Sequence, residues 1–100
     1  MAKYKILYWH DIPSQIRVED SEGRVSQQLP ARFQEAIDSA AMKAKAIDDD
    51  AYMAGFRWSE GKDRPGTAEV VAAQLLEEYD HNFSEIDWQR TAEDIKKNRE

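Results

Sequence analysis

The segment from Tyr4 to Pro13, YKILYWHDIP, constrains most strongly what this chain can fold into. Bulky apolar side chains occupy every position from Ile6 to Trp9 before a proline ends the run. Side chains of a strand alternate between its two faces, so a strand with this sequence is apolar on both. The rest of a 100-residue chain looks too short to cover both faces. We therefore expect this strand either to be buried on both sides or to carry an exposed apolar face.

Alternation in two other segments predicts which residues lie on that exposed face. Ile16 and Val18 alternate with polar residues, as in a half-buried strand. Phe56 and Trp58 do the same in a third strand, predicted within residues 52–59. If these four side chains face the core, the opposite face carries the set Leu7, Trp9, Arg17 and Arg57, beside Lys5. An aromatic residue among arginines is typical of the centre of a protein interface, so we predict that this set binds a partner.

An alternative for Trp9 comes from the C-terminal segment of the same chain. Phe83, Ile86 and Trp88 are apolar residues scattered among charges. One of them could cover Trp9, in which case the exposed face would lose its largest side chain. The sequence leaves both arrangements open.

Two longer segments have the periodicity of helices with one apolar face. Apolar residues recur at helical spacing after Pro30, at Phe33, Ile37, Ala41 and Ala44, and again after Thr67, at Val71, Leu75 and Tyr79. Pro30 suits the first position of a helix, and Thr67 suits an N-cap. The order of elements predicts an α+β fold, with a three- to four-stranded, mainly antiparallel sheet and two helices packed on one face. We expect one domain over residues 1–82 and a charged tail, helical or partly disordered, over residues 83–100.

Composition and charge narrow the functional classes. Fourteen Lys and Arg against twenty Asp and Glu give a net charge of -6, which disfavours nucleic acid and anionic membranes as partners. The acidic excess lies in residues 67–100, which hold nine acidic and four basic residues. Without cysteine, the chain has neither disulfides nor thiolate metal ligands. No apolar run approaches the ~18 residues of a membrane span, and no signal-peptide core is present, so we expect a cytoplasmic protein.

Candidate chemical motifs in the sequence are weak. His10, Asp11 and Ser14 are too close along one strand end to converge as a catalytic triad. A metal site formed by His10 and Asp11 would need further ligands. The other histidine of the chain, His81, lies in a different predicted element. Asp48-Asp49-Asp50 resembles the start of a calcium loop but lacks the glycine at its sixth position. We therefore expect no metal, no cofactor and no catalytic residues.

Three motifs together resemble a known family. They are YWHDIPSQ at residues 8–15, QLPARFQEAID at residues 28–38 and FRW at residues 56–58. The chain is similar in these motifs to small bacterial proteins labelled "virulence factor", which are related to a middle segment of the larger conserved virulence factor C proteins. The resemblance covers about residues 3–80 and leaves the tail after Phe83 outside.

The resemblance implies an accessory role rather than a reaction. The family carries no established catalytic residues. In the larger relatives the segment lies beside a domain similar to the N-terminal part of iron–sulfur scaffold proteins and beside a helical-repeat region. Small stand-alone members tend to be encoded near methyl-folate and corrinoid methyl-transfer enzymes. What this implies is an adaptor, and the absence of cysteine excludes cluster ligation by thiolates of this chain.

These observations lead to one main hypothesis and two alternatives. The main hypothesis is a non-enzymatic protein-interaction module, accessory to a bacterial one-carbon or methyl-transfer enzyme, which binds a protein partner or a second copy. The first alternative is a small-molecule-binding or catalytic subunit that uses the strand-end residues His10, Asp11 and Arg57. The second is an accessory to iron–sulfur assembly that supplies no ligands of its own. A flat apolar patch would favour the main hypothesis, and a concave site with converging polar groups would favour the small-molecule alternative.

Overall fold

The chain folds into one antiparallel sheet with helices, in a computed structural model that describes residues 1–45 and 49–99. The elements are β1 (Ala2–Trp9), β2 (Ile12–Asp20), β3 (Gly23–Gln28), α1 (Ala31–Lys43), α2 (Asp49–Ala54), β4 (Phe56–Trp58), β5 (Lys62–Arg64), α3 (Ala68–Asn82) and α4 (Trp88–Arg99). The predicted α+β class is confirmed. Within the described residues there are four helices rather than the two that were predicted.

The apolar run of β1 forms the middle of the sheet. The strand order is β3-β2-β1-β4, and β5 also pairs with β1. The two short strands share one edge of β1, because β4 pairs with Leu7–Trp9 and β5 pairs with Ala2–Tyr4. β1 therefore has partners on both sides along most of its length. The strand β5 is too short and too polar to show a period in the sequence.

The main core lies between the sheet and helices α1 and α3. Ile6, Ile16 and Val18 project from the strands and are buried against residues of both helices. The helix residues in this core include Phe33 of α1 and Leu75 of α3. The predicted burial of Ile16 and Val18 is confirmed, as are the predicted apolar faces of the two helices. The alternation that predicted them holds because β1 and β2 pair in regular register from Lys3 to Leu7.

Helix α3 begins at a junction that Asp20 stabilises. Thr67 caps the helix as predicted, since its hydroxyl accepts a hydrogen bond from the backbone N–H of Val70 at 3.3 Å. The Asp20 carboxylate at the end of β2 accepts a second one, from the N–H of Ala68 at 2.8 Å. Its other oxygen accepts bonds from the N–H groups of Glu22 and Gly23 in the β2–β3 turn. The bond from Ala68, and then those from the turn, lower the pKa of Asp20 below its usual value.

The lowered pKa of Asp20 predicts an acid-dependent loss of stability. A group whose pKa is lower in the folded chain stabilises the fold fully above its unfolded pKa of about 3.9. That stabilisation disappears as the pH falls through the folded pKa. We expect Asp20→Asn to be less stable than the parent in urea unfolding at pH 7, and the difference to shrink below about pH 3.5. The matched control is Asp63→Asn, the same change at an exposed site on β5, and Asp20→Asn should be the more destabilised of the two at pH 7. A difference between Asp20→Asn and the parent that is constant with pH would contradict the assignment.

A second core surrounds Trp9 at the end of β1. Trp9 is 0% exposed and lies in a cluster with Ile37 and Ala40 of α1 and with Ala92 and Ile95 of α4. Its indole N–H donates to the carbonyl oxygen of Tyr52 in α2 at 2.8 Å. Of the two arrangements that the sequence left open, the structure thus has the one in which the C-terminal segment covers Trp9. The boundary predicted after residue 82 stays a prediction.

The third predicted strand is shorter than expected. Of residues 52–59, only Phe56–Trp58 form β4, because Tyr52 belongs to the short helix α2. The prediction that Phe56 and Trp58 are among the best-buried residues is wrong, since Phe56 is half-buried and Trp58 is 37% exposed. The acidic run at residues 48–50 begins at Asp48, which lies outside the described residues. Helix α1 itself ends at Lys43.

Candidate functional site

The sheet face that α1 and α3 leave uncovered is the first candidate site, and we call it the open face. Residues paired across neighbouring strands lie on the same face of a sheet, so the register identifies its members. They are Lys3, Lys5 and Leu7 of β1, Gln15, Arg17 and Glu19 of β2, Arg24, Ser26 and Gln28 of β3, Trp58 of β4 and Asp63 of β5. All of them are exposed or half-buried. No described helix packs its buried residues on this side.

Trp58 and Arg17 are in contact on the open face. The Arg17 guanidinium carbon lies 4.3 Å from the centroid of the Trp58 ring, in the range of a cation–π contact. Leu7 lies between them in the sheet, because β1 separates β2 from β4 and Leu7 pairs with Trp58. The Nε atom of Arg17 is buried and has no hydrogen-bond partner among the described residues. An aromatic ring, an aliphatic side chain and an incompletely bonded guanidinium are thus held together on a rigid sheet.

Trp9 and Arg57 do not lie on the open face, although both were predicted there. Trp9 is in the second core, and Arg57 pairs with Tyr8, whose hydroxyl lies on the helix side, 3.2 Å from that of Tyr79 in α3. The register of β1 and β2 shifts between Leu7 and Tyr8, where Ser14 is skipped as a β-bulge. A β-bulge bends and twists a pair of strands. The alternation of side chains in the middle of β1 therefore does not predict which face the residues at the end of the strand occupy. Leu7 and Arg17 have the predicted position, and Trp58 takes the place expected for Trp9.

A cleft at the end of β1 is the second candidate site, and we call it the strand-end cleft. It has a volume of about 340 Å³ and is lined by His10, Asp11, Arg57, Thr91 and Asp94, with Ala54, Gly55 and Ile95. The buried Thr91 hydroxyl donates to the Asp11 carboxylate at 2.6 Å. The three residues of the small-molecule alternative, His10, Asp11 and Arg57, are therefore brought together. The sequence did not indicate Thr91 and Asp94, because they come from α4, 80 or more positions away.

Tight packing at Gly55 shapes the strand-end cleft. His10 has a φ of 55°, which turns the chain out of β1, and its N–H donates to the Gly55 carbonyl at 2.9 Å. The imidazole of His10 also lies edge-to-face against the indole of Trp9, with ring centroids 4.5 Å apart. A Cβ atom on residue 55 would stand 2.9 Å from Nε2 of His10 and 2.5 Å from Nε1 of Trp9. Only glycine leaves room there for both rings.

Metal ligands and membrane-spanning segments are not found in the part of the chain that the structure describes. Within residues 1–45 and 49–99, no three His, Asp or Glu side chains are grouped so that they could hold a metal ion. The helices in those ranges are all too short or too polar to cross a membrane. The calcium-like run that begins at Asp48 lies partly outside these ranges.

The comparison with protein families establishes the class of this protein. The family model described as "Virulence factor" matches residues 7–90, which include the open face apart from Lys3 and Lys5 and most of the strand-end cleft. The chain therefore belongs to the virulence factor family. The match also extends beyond the resemblance at residues 3–80 and reaches into α4. Neither the curated proteins nor the solved structures contain a match to the chain.

Proposed function

We propose that this protein is a non-enzymatic interaction module whose open face docks a protein partner. The observation that carries the proposal is Trp58, a large aromatic side chain that is 37% exposed and held against Arg17 on a rigid sheet. Tryptophan and arginine are the residues most enriched among interface hot spots. Fixing both side chains before binding lowers the entropic cost of docking.

The surroundings of Trp58 support this role. Leu7, Gln15 and Gln28 continue across the sheet in one row with Trp58, so apolar and uncharged polar side chains form this end of the open face. Charged residues lie towards the Lys3 end, where Glu19 is paired with Arg24. Aromatic residues and arginine are enriched in protein interfaces relative to the rest of the surface. From the family resemblance, the expected partner is a bacterial one-carbon or methyl-transfer enzyme.

Site-specific photo-crosslinking in the source cells tests the docking proposal. A photoreactive amino acid at position 26, at the edge of the open face, should crosslink a discrete protein. Trp58→Ala should reduce this crosslink at least about tenfold, because the hot-spot side chain is lost. The matched control is Met42→Ala on α1, which removes another exposed apolar side chain and should leave the crosslink unchanged. A crosslink that is equally strong in the two variants would contradict the proposal.

A second candidate function is favoured by the strand-end cleft. The convergence of His10, Asp11 and Arg57 with the buried Thr91 supports a small-molecule site, and the volume lies at the lower end of the range for ligand pockets. Arg57 makes no ion pair with any described residue, so its guanidinium can bind a carboxylate or phosphate.

Ligand-observed NMR with a set of small organic acids and phosphates tests the second candidate. If the cleft is a ligand site, one of these compounds should bind with at least millimolar affinity, and Arg57→Ala should abolish its binding. Arg57 is exposed, so this change should leave stability within about 0.5 kcal/mol of the parent. Binding that survives in Arg57→Ala would locate the ligand elsewhere, and no binding at all would remove the candidate.

A further inference from the structure

We propose that the segment docked on the open face is acidic, with a carboxylate placed against Arg17 and an apolar side chain against Trp58 and Leu7. This inference rests on the proposed docking function and adds the chemistry of the partner. It is carried by two independent observations, the charge of the open face and the incomplete hydrogen bonding of Arg17.

The charge of the open face is opposite to that of the rest of the molecule. The face carries four basic residues, Lys3, Lys5, Arg17 and Arg24, against two acidic ones, Glu19 and Asp63. The whole chain has fourteen basic and twenty acidic residues, so everything outside the face is strongly acidic. Glu19 forms a salt bridge with Arg24 at 3.0 Å, and Lys3, Lys5 and Arg17 form none with a described residue. Cationic side chains thus remain unneutralised around Trp58.

The geometry at Arg17 provides a place for a carboxylate. Its guanidinium carbon lies 4.3 Å from the centroid of the Trp58 ring, and its buried Nε atom has no hydrogen-bond partner among the described residues. The terminal amino groups of this half-buried side chain make no ion pair with a described residue, and hydrogen bonds from arginine to a carboxylate are among the strongest that proteins make. Lys5 pairs with Arg17 across β1 and β2 and adds a second positive charge on the same face.

A protein segment fits this surface better than the other anionic partners. The basic residues belong to a molecule with a net charge of -6, so a long polyanion such as RNA would extend over acidic surface. A short segment with two or three carboxylates and one large apolar residue would remain within the face. The acidic residues 67–100 of a second copy are the competing occupant.

An NMR titration with designed peptides tests the proposed partner chemistry. The probe is the peptide Ac-GEELFEEG-amide, and the matched control is Ac-GQQLFQQG-amide, with glutamine in place of each glutamate. We expect the acidic probe to shift the Nε1–H signal of Trp58 and the Nε–H signal of Arg17, while the Nε1–H signal of the buried Trp9 stays in place. The affinity for the probe should fall at least about tenfold in Lys5→Glu and in Arg17→Glu, because like charges then face each other. It should also weaken from 50 to 300 mM salt, because salt screens exposed charges.

The outcomes separate this inference from the docking proposal. Equal binding of both peptides, binding of neither, or insensitivity to Lys5→Glu would overturn the acidic segment. The docking proposal would still stand if the cellular crosslink depended on Trp58. Tighter binding of a single-stranded oligonucleotide than of the acidic probe would overturn the inference in favour of nucleic acid. Concentration-dependent dimerisation that is lost in Trp58→Ala would overturn it in favour of a second copy.

Discussion

Replacing Trp9 by alanine is expected to lower the free energy of unfolding by about 3–5 kcal/mol, the usual cost of truncating a buried tryptophan or phenylalanine. Trp9 is fully buried among residues of α1 and α4, and its indole N–H is bonded to the Tyr52 carbonyl. Its removal leaves a large cavity, and the carbonyl oxygen of Tyr52 loses one hydrogen bond. Because a domain of this size has a total stability of roughly 5–15 kcal/mol, this loss is a large share of the total. Equilibrium unfolding in urea, followed by circular dichroism, measures the difference.

The matched control for Trp9→Ala is the same substitution at Trp58. Trp58 is 37% exposed and its described ring contact is with Arg17. Its removal should therefore cost less than that of Trp9, because part of the Trp58 ring is already in contact with water and its loss leaves no enclosed cavity. If the two variants were equally destabilised, the assignment of Trp9 to the core and Trp58 to the open face would be wrong.

The second large effect is expected at Gly55. A Cβ atom there would lie 2.5 Å from Nε1 of Trp9 and 2.9 Å from Nε2 of His10, distances that force both rings to move. We expect Gly55→Ala to cost about 1–3 kcal/mol, as is typical of overpacking. It should also perturb the strand-end cleft, because Gly55 and His10 both line it. Urea unfolding measures the first effect, and the His10 ring signals in NMR measure the second.

Gly23→Ala is the control for Gly55→Ala, because it adds the same methyl group at a position with nothing within 4 Å. Its stability should remain within about 0.5 kcal/mol of the parent. A Gly55→Ala protein as stable as Gly23→Ala would show that the packing of Trp9 and His10 around residue 55 is looser than described here.

The parts of the fold that could be predicted from the sequence are those with regular local periods. Ile16 and Val18 were identified by alternation, and the faces of α1 and α3 by helical spacing. In these segments, whether a residue is buried depends only on the strand or helix to which it belongs and on the one element packed against it. The cap at Thr67 was also predictable, because an N-cap bond is made within four residues of the chain.

The errors occurred where several distant elements meet. Trp9 is buried because α4 packs on the end of β1, beyond the bulge at Ser14. Trp58 is on the open face because it pairs with Leu7 there, a register that the sequence of β4 does not indicate. Half of the residues of helix α4 are charged, and its buried contacts with this core are made by Ala92 and Ile95, with Trp88 partly buried beside them.

The residues of the candidate sites also differ in whether they could be predicted from local sequence patterns. Leu7 and Arg17 could be assigned to the open face because they lie in the regular part of β1 and β2. The convergence of His10, Asp11 and Arg57 followed from their shared position at strand ends. Thr91, which holds Asp11 in the cleft, could not be found, because its proximity depends on how the C-terminal helix packs.

Hydroxyl-radical footprinting of the protein in a native lysate tests the central claim, docking on the open face, most directly. Purified protein should be oxidised at Trp58, Met42 and Met53, which are 37%, 71% and 63% exposed. In the lysate we predict that oxidation of Trp58 falls several-fold, while Met42 on α1 and Met53 near the strand-end cleft react as before. Unchanged oxidation of Trp58 with protection of Met53 would contradict the account and move the binding site to the cleft.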